Sequence, residues 1–230
     1  MDEEKQNDET NQNKENVKKT AEEVKGETIN TFNQVKDTMK NTDFKEEAKN
    51  TKGFLLELMS DPIGLISSVA KGERSILKTG LFLMVVTIAI NIIESVIRVF
   101  RYSGFHFMTF VRDITYPVVY VFLFAVIILL LNKNNKKSLL TILEVILIAY
   151  IPTIINNAIG LVTTIVYNST LSSIVGCLTG AIALVGTVLK YFGTKELFGE
   201  EDTSKMIRTF FVVMLIHQIG MFVIGLTNLI

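Results

Sequence analysis

Side chains that could carry out catalysis or bind a metal are few in this chain. His106 and His217 lie in different segments without acidic neighbours at metal-ligand spacing, and Cys177 is the single cysteine. The 230 residues contain no glycine-rich phosphate loop followed by lysine, no His-Glu-x-x-His and no serine in a nucleophile elbow. The sequence therefore predicts no catalytic residue, no metal site, no cofactor and no enzymatic activity.

The polar residues that stand out lie inside long apolar runs. In the first run, residues 76–100, small and polar side chains fall in one arc of a helical wheel. This first polar arc contains the site candidates Gly80, Asn91, Glu94 and Arg98, together with Thr87 and Ser95. Polar groups are costly against hydrocarbon, so the arc should face other helices or a hydrated cavity.

A second polar arc follows residues 139–166. It contains the site candidates Tyr150, Asn156 and Asn157, with Thr153, Gly160 and Thr164 beside them. A further candidate, Pro152, lacks a backbone donor, which predicts a kink whose freed carbonyl is satisfied by a neighbouring group. Pro117 should bend the second span in the same way. We expect the two arcs to meet inside a helical bundle.

Three other features of the apolar runs favour packing over chemistry. Ser172, Gly176 and Gly180 repeat at the small-xxx-small spacing that lets helices approach closely, so they are helix-packing candidates. Glu144 lies off the second arc, near a helix end, where it could reach the interface or pair with Lys137. His217 is expected to be hydrogen-bonded in a packed interior, the alternative being a place on an ion or proton path.

Composition assigns the chain to the integral membrane proteins. Hydrophobic residues make up 49% of it, and its uncharged runs reach the ~20 residues that a membrane-spanning helix needs. Continuous apolar runs favour helices over the alternating strands of a barrel. The run from Val145 to Leu189 is too long for one crossing, and polar residues at 167–170 predict a turn within it. The predicted fold is an all-α membrane protein with five transmembrane helices, near residues 76–100, 114–131, 139–166, 171–192 and 206–230.

The chain before the first span has a different composition. Residues 1–52 are rich in Lys, Glu, Asp and Asn, which predicts a polar, largely disordered tail. A faint apolar repeat that includes Phe32 and Val35 indicates a weak amphipathic helix within it. In the segment 53–75, Asp61 and Pro62 form a good helix start, and the apolar face is too short to span. We expect an interfacial elbow helix there, followed by the five-helix domain at 76–230.

Basic residues near the spans predict the orientation. Ten fall on one side of the five-span arrangement and three on the other, so the N-terminus should be cytoplasmic and the C-terminus outside. The ten are Lys71, Arg74, Lys78, Lys133, Lys136, Lys137, Lys190, Lys195, Lys205 and Arg208, and the three are Arg98, Arg101 and Arg112. The plasma membrane is the expected location. Basic residues without interleaved aromatics argue against nucleic acid as a partner.

Two stretches resemble the Yip family of five-span membrane proteins, in particular its prokaryotic branch. They are SDPIGLISSVAKGERSILKTGLFL, from Ser60 to Leu83, and AYIPTII, from Ala149 to Ile155. The resemblance covers residues 53–230 and implies structural roles for Tyr150 and Pro152 and no catalytic residues. Eukaryotic members bind small prenylated Rab-type GTPases and associate with one another. Here Asp61 and Pro62 stand where those members have Asp-Leu-x-Gly-Pro, so GTPase binding is not carried over.

Two functions remain open from the sequence. The first is a non-enzymatic membrane-organising scaffold or adaptor that recruits protein partners through its N-terminal tail and associates with lipid or with copies of itself. The second is a small permease or channel component whose polar path is lined by Asn91, Glu94, Asn156, Asn157 and His217. The absence of any visible internal repeat of the kind found in transporters favours the first.

Overall fold

The computed structural model describes residues 2–102, 107–132, 137–166 and 169–226, with side chains described from Lys18 onward except at Thr20, Tyr102 and Thr109. Within these ranges every regular element is an α-helix, which confirms the predicted all-α class. The helices are α1 (Asp2–Lys40), α2 (Phe44–Ser60), α3 (Pro62–Ala70), α4 (Leu77–Tyr102), α5 (Phe107–Leu131), α6 (Leu139–Ile165), α7 (Ser169–Phe198) and α8 (Thr203–Leu226).

Helices α4 to α8 are the membrane-spanning elements. Among the described residues, these five are each long and apolar enough to cross a bilayer, so the chain is a multi-pass membrane protein and the predicted five spans are confirmed. Most predicted boundaries agree to about four residues. There are two exceptions. Helix α5 begins at Phe107, although the predicted span starts near residue 114. Helix α7 ends at Phe198 instead of near residue 192, because Thr194 and Leu197 are fully buried in its last turns.

Several residues used in the predictions lie outside the described ranges: His106, Lys133, Lys136, Tyr167, Asn168 and residues 227–230. The predicted turn at 167–170 therefore lies partly there, between the end of α6 and the start of α7 at Ser169.

The central helix is α6. For each span, the buried share was compared over an apolar stretch of 18 residues. This share is 72% for α6, 6% for α7 and 17% for α8. It contacts α4, α5 and α7, while α8 packs mainly on α5. The end of the bundle where α4 and α6 begin is called the proximal end here, and the end where α4 finishes and α5 begins is called the distal end.

Two glycines of α7 allow it to approach α6 closely. A Cβ atom added at Gly193 would lie 2.8 Å from Cγ1 of Val145, and one added at Gly186 would lie 3.3 Å from Cβ of Pro152. The predicted packing triplet is on another face: Ser172, Gly176 and Gly180 are all exposed, and an added Cβ at either glycine meets no described atom within 4 Å. The triplet therefore makes no close helix contact within the described part of the chain.

The N-terminal region contains a helix, as the predicted amphipathic stripe indicates, and the disorder of the polar tail stays a prediction. Helix α1 occupies residues 2–40 and contacts α4 and α6, because Thr31 and Val35 are buried on its inner face. The predicted apolar stripe is only partly on that face, since Phe32 is 59% exposed. A polar helix needs no core of its own when it lies on a bundle that already has one.

Helix α3 begins and ends at the predicted residues. The carboxylate of Asp61 accepts from the Gly64 amide at 2.9 Å, Pro62 is the first helical residue, and Gly72 follows the helix with a φ of 76°. Helices α2 and α3 meet at 109° and are apolar enough for a span only when taken together. The apolar face of α3, including Ile66, packs on α6 and α7. A position at the membrane interface stays a prediction.

Candidate functional site

The distal half of the bundle contains a polar contact that depends on a proline. Pro117 in α5 has no N–H, so the carbonyl of Asp113, four residues earlier, lacks its helical donor. The side-chain amide of Asn91 in α4 donates to that carbonyl at 2.7 Å. The freed acceptor predicted for a proline kink thus finds its partner on a neighbouring helix.

The side chain of Asp113 is the centre of a charged network that sequence reasoning missed. Its Oδ2 accepts from the hydroxyl of Ser95 at 2.8 Å and lies 4.0 Å from Nη1 of Arg98. Its Oδ1 lies 3.7 Å from Nε of Arg112, which is half exposed. Arg98 also donates to Glu94, one turn earlier in α4. Five polar side chains of α4 and α5 are therefore linked at the distal end.

The two polar arcs predicted from the sequence contact each other in this region. Asn157 of α6 donates to Oδ1 of Asn91 at 3.4 Å, and the hydroxyl of Thr164 donates to Glu94 at 3.3 Å. Asn156 points elsewhere, because its amide donates to the carbonyl of Thr179 in α7 at 3.1 Å. Its Oδ1 is buried without a hydrogen-bond partner among the described residues.

A partly open cleft of about 190 Å³ lies between α4, α5 and α6 at this end. Each helix contributes three lining residues. They are Asn91, Glu94 and Arg98 of α4, Asp113, Tyr116 and Pro117 of α5, and Tyr150, Thr153 and Asn157 of α6. We call this the distal cleft. It brings together five of the predicted site candidates, while Gly80, Pro152 and Asn156 lie outside it.

The predicted candidates outside the cleft serve helix packing. Gly80 lies in the first turn of α4, where an added Cβ would be 2.9 Å from Cδ1 of Leu147. Pro152 faces Gly186 of α7.

Tyr150 lines the cleft and also packs inside the bundle. It is 2% exposed, and its ring centroid lies 5.5 Å from that of Tyr120.

Below the cleft, Tyr120 connects three helices. Its hydroxyl accepts from Nζ of Lys190 in α7 at 2.7 Å, and its carbonyl lies 3.1 Å from Nε2 of His217 in α8. His217 is fully buried, with its ring against those of Tyr120 and Phe124 at 4.4 and 5.0 Å. The other ring nitrogen, Nδ1, has no partner in the described part of the chain. This geometry places His217 in a packed interior rather than in the distal cleft.

Glu144 caps the start of the first span instead of pairing with Lys137. It is 5% exposed, and its Oε1 accepts from the hydroxyl of Ser75 at 2.5 Å and from the amide of Ile76 at 2.9 Å. These donors precede α4 directly, where a helix has orphan N–H groups and a positive dipole end. No ion pair joins Glu144 to Lys137 in the described structure. The carboxylate is a structural cap, buried between α4 and α6.

Metal-binding clusters of three or more His, Cys, Asp or Glu residues are not found among the described residues. In comparisons with known proteins, no family model, no curated protein and no solved structure matches the chain.

Proposed function

We propose that the chain is a non-enzymatic integral membrane protein that acts as a scaffold or adaptor, with an N-terminal arm that recruits protein partners. The observation that carries this proposal is the arrangement of α1. It is 39 residues long, and among its described side chains only Thr31 and Val35 are buried. Its other described side chains are exposed or partly exposed and accessible to a partner, and its C-terminal part is fixed to the bundle.

The contacts that fix the arm lie at the proximal end. Glu27 accepts from the amide of Leu139, the first residue of α6, at 3.1 Å. Glu47 of α2 accepts from the hydroxyl of Thr79 in the first turn of α4 at 2.9 Å. An arm held at defined positions presents a partner site in a fixed orientation, which is what an adaptor requires.

The location and orientation are part of the same proposal. We place the protein in the plasma membrane with the N-terminus cytoplasmic and the C-terminus outside, because the basic residues Lys71, Arg74 and Lys78 cluster beside the proximal end. Membership of the Yip family, proposed on the stretches beginning at Ser60 and Ala149, would agree with a five-span scaffold. Labelling a cysteine placed at residue 18 or residue 226, in a Cys177→Ser background, with a membrane-impermeant maleimide tests the orientation. Only residue 226 should react from outside.

A site-specific crosslinker in α1 tests partner recruitment. A photoreactive amino acid at the exposed position Phe32 should form adducts with another protein in cells, and the same group at the buried position Val35 is the matched control. Deleting residues 2–26, which leaves Glu27 and the buried contacts in place, should abolish the adducts at Phe32 without preventing membrane insertion. Adducts of equal yield after the deletion would contradict the proposal.

Self-association is a second interaction within this proposal. The exposed Ser172, Gly176 and Gly180 leave one face of α7 with the small-residue spacing that suits contact with a second copy. Cys177 is exposed beside Gly176 and provides a native probe. Oxidative crosslinking in membranes should give a disulfide-linked dimer. The variant Gly176→Leu should give a lower yield of this dimer. Wild-type dimerisation unchanged by Gly176→Leu would argue against this face.

The distal cleft favours a second candidate function, a small permease or channel component. Asn91, Glu94 and Asn157 line it as that hypothesis requires. Asn156 and His217 are directed to other contacts, so the five residues do not line one path. Solute flux into proteoliposomes that is lost in Glu94→Gln would support this candidate over the scaffold.

A further inference from the structure

Helix α2 carries lysines and large apolar side chains together on one exposed face. At ~100° per residue, five of its positions fall within an arc of about 80°. Leu56 and Met59 in this arc are 58% and 82% exposed. The buried residues of α2, which include Phe54 and Leu58, lie on roughly the opposite side. We call the arc the basic face of α2, and its five exposed residues are Lys45, Lys49, Lys52, Leu56 and Met59.

The acidic residues of the same segment do not neutralise the basic face. Four of the five carboxylates between residues 43 and 61 have partners elsewhere, and the fifth, Glu46, lies on a flank of α2. One flanking acid leaves at least two of the three lysines without a counter-charge, and no ion pair of the described structure includes them. The partnered carboxylates are those of Asp43 and Asp61, which cap helices, Glu47, which accepts from Thr79, and Glu57, which pairs with Arg74.

Contacts with α4 place α2 at the level where this membrane-spanning helix begins. The hydroxyl of Thr79 donates to Glu47 at 2.9 Å, and the ring centroids of Phe44 and Phe82 are 6.3 Å apart. Phe82 is the sixth residue of α4. Helix α2 therefore starts beside the first turns of the span and not beyond its end.

The length of α4 relates these turns to the bilayer. Its 26 residues extend about 39 Å, whereas the hydrocarbon core of a bilayer is ~30 Å thick. A centred helix therefore has about three residues beyond the core at each end. Thr79 is the third residue of α4, so its contact with Glu47 lies at the boundary between headgroups and hydrocarbon. The basic face points away from α4 at this boundary, where lipid is its neighbour.

We propose that the basic face of α2 binds anionic phospholipid of the membrane that the chain spans. The ammonium groups bind lipid phosphates, and Leu56 and Met59 enter the upper hydrocarbon layer, as in amphipathic helices that lie at a membrane surface. An anionic leaflet complements lysines that have no counter-charge in the protein. This inference goes beyond the scaffold function, which concerns α1, and does not depend on it.

Quenching by lipid tests the depth of this face. The full chain carries a fluorophore on one cysteine, Leu56→Cys in a Cys177→Ser background, in nanodiscs of phosphatidylcholine and phosphatidylglycerol. A lipid with a nitroxide in the upper acyl chain should quench this fluorophore. Asn50→Cys, an exposed position on the same flank as Glu46, is the matched control and should be quenched several-fold less. Equal quenching at the two positions would overturn the insertion of this face.

Lipid preference tests the role of the lysines. Quenching at residue 56 is titrated with nitroxide-labelled phosphatidylglycerol or phosphatidylcholine. One lysine near an anionic surface is worth about fivefold in affinity, so phosphatidylglycerol should associate at least fivefold more tightly. Replacing all three lysines with glutamine should make the two lipids equal, whereas Lys205→Gln, at an exposed lysine of α8, should leave the preference unchanged. Equal association of both lipids with the three lysines intact would overturn the anionic-lipid site.

Salt provides a second measurement that needs no lysine variant. At 1 M the screening length falls to ~3 Å, so the preference for phosphatidylglycerol should decrease while quenching at residue 56 persists. This result separates the charge of the lysines from any misfolding of the triple variant. A preference that neither salt nor the triple variant reduces would contradict binding through the lysines.

Crosslinking in cells distinguishes lipid from a protein occupant. A photoreactive amino acid at the exposed position Met59 should form adducts with phospholipid. Adducts with an acidic protein in place of lipid would overturn the proposal and assign the basic face to that protein. Recruitment by α1 is tested separately through the adducts at Phe32, so either proposal can fail while the other stands.

Discussion

The side-chain amide of Asn91 donates to the main-chain carbonyl of Asp113 at 2.7 Å. Pro117 leaves this carbonyl without a donor in its own helix, so Asn91 replaces a missing backbone hydrogen bond from a second helix. In the hydrocarbon core of a bilayer, no water is available to donate a hydrogen bond to such a carbonyl. The contact therefore ties the position of α4 to the proline-containing turn of α5.

The first prediction concerns this replacement. Asn91→Ala should lower the free energy of unfolding by about 1–3 kcal/mol, because the Asp113 carbonyl is then unsatisfied. In a Pro117→Ala background the backbone supplies its own donor, so Asn91→Ala should cost less. A double-mutant cycle, measured by chemical unfolding in detergent, gives the coupling. Equal costs in both backgrounds would show that Asn91 does not compensate for the proline.

The second prediction concerns the cap of α4. Glu144→Leu should destabilise the protein by about 1–3 kcal/mol, since it leaves the buried Ile76 amide without an acceptor and removes the partner of the Ser75 hydroxyl. Glu144→Gln keeps an acceptor oxygen but removes the charge that favours the helix N-terminus, so its cost should be smaller. Hydrogen exchange at residues 76–80 locates the effect, with Glu73→Gln as a matched control. Unchanged exchange in Glu144→Leu would be inconsistent with a capping role.

The third prediction concerns the contact of α7 with α6. Gly193→Ala places a Cβ atom 2.8 Å from Cγ1 of Val145, and overpacking of this kind costs about 1–3 kcal/mol. Shortening the neighbour with Val145→Ala should recover part of the loss. Gly180→Ala, on the open face, is the matched control and should be neutral or stabilising, because alanine is the better helix former. Thermal unfolding in detergent measures all four proteins. A larger loss of thermal stability in Gly180→Ala than in Gly193→Ala would contradict the assignment of the two faces.

The fourth prediction concerns the pair formed by Lys190 and Tyr120. Tyr120→Phe removes the acceptor of the ammonium and should cost about 1–3 kcal/mol. Lys190→Met replaces the partly buried charge with an apolar chain of similar length, so its cost should be smaller, because no ammonium is then left without its acceptor. Chemical unfolding of both variants provides the comparison. A larger loss in Lys190→Met would mean that the ammonium has a favourable role beyond this hydrogen bond.

Composition and hydropathy predict the spans of this protein because crossing a bilayer requires long apolar helices, whatever the tertiary structure. The polar arcs are also visible, since Asn91 and Asn157 follow helical periodicity and do meet. Asp113 is harder to see because a carboxylate just before an apolar run resembles a loop residue. One signal is available: it lies four residues before Pro117, so its carbonyl requires an outside donor.

Other contacts need the tertiary structure. The donors to Glu144 are 68 and 69 residues away in the chain, so no local pattern identifies them. Small-residue spacing shows that a face of α7 can pack closely but not which helix it meets, and the contact uses Gly186 and Gly193 instead of Gly176 and Gly180. If α7 is predicted to end near residue 192, Lys190 falls beside the following loop. Its contact with another helix is then not expected.

The enclosure of α6 has a consequence for biosynthesis. This helix leaves the ribosome before α7, yet the carbonyl that accepts from the Asn156 amide belongs to Thr179 of α7. Until α7 has been made, the insertion machinery must shelter that amide. A nascent chain that stops before Ser169 should therefore be recognised by membrane quality control, whereas one that stops after Phe198 lacks only α8 and already has α6 covered.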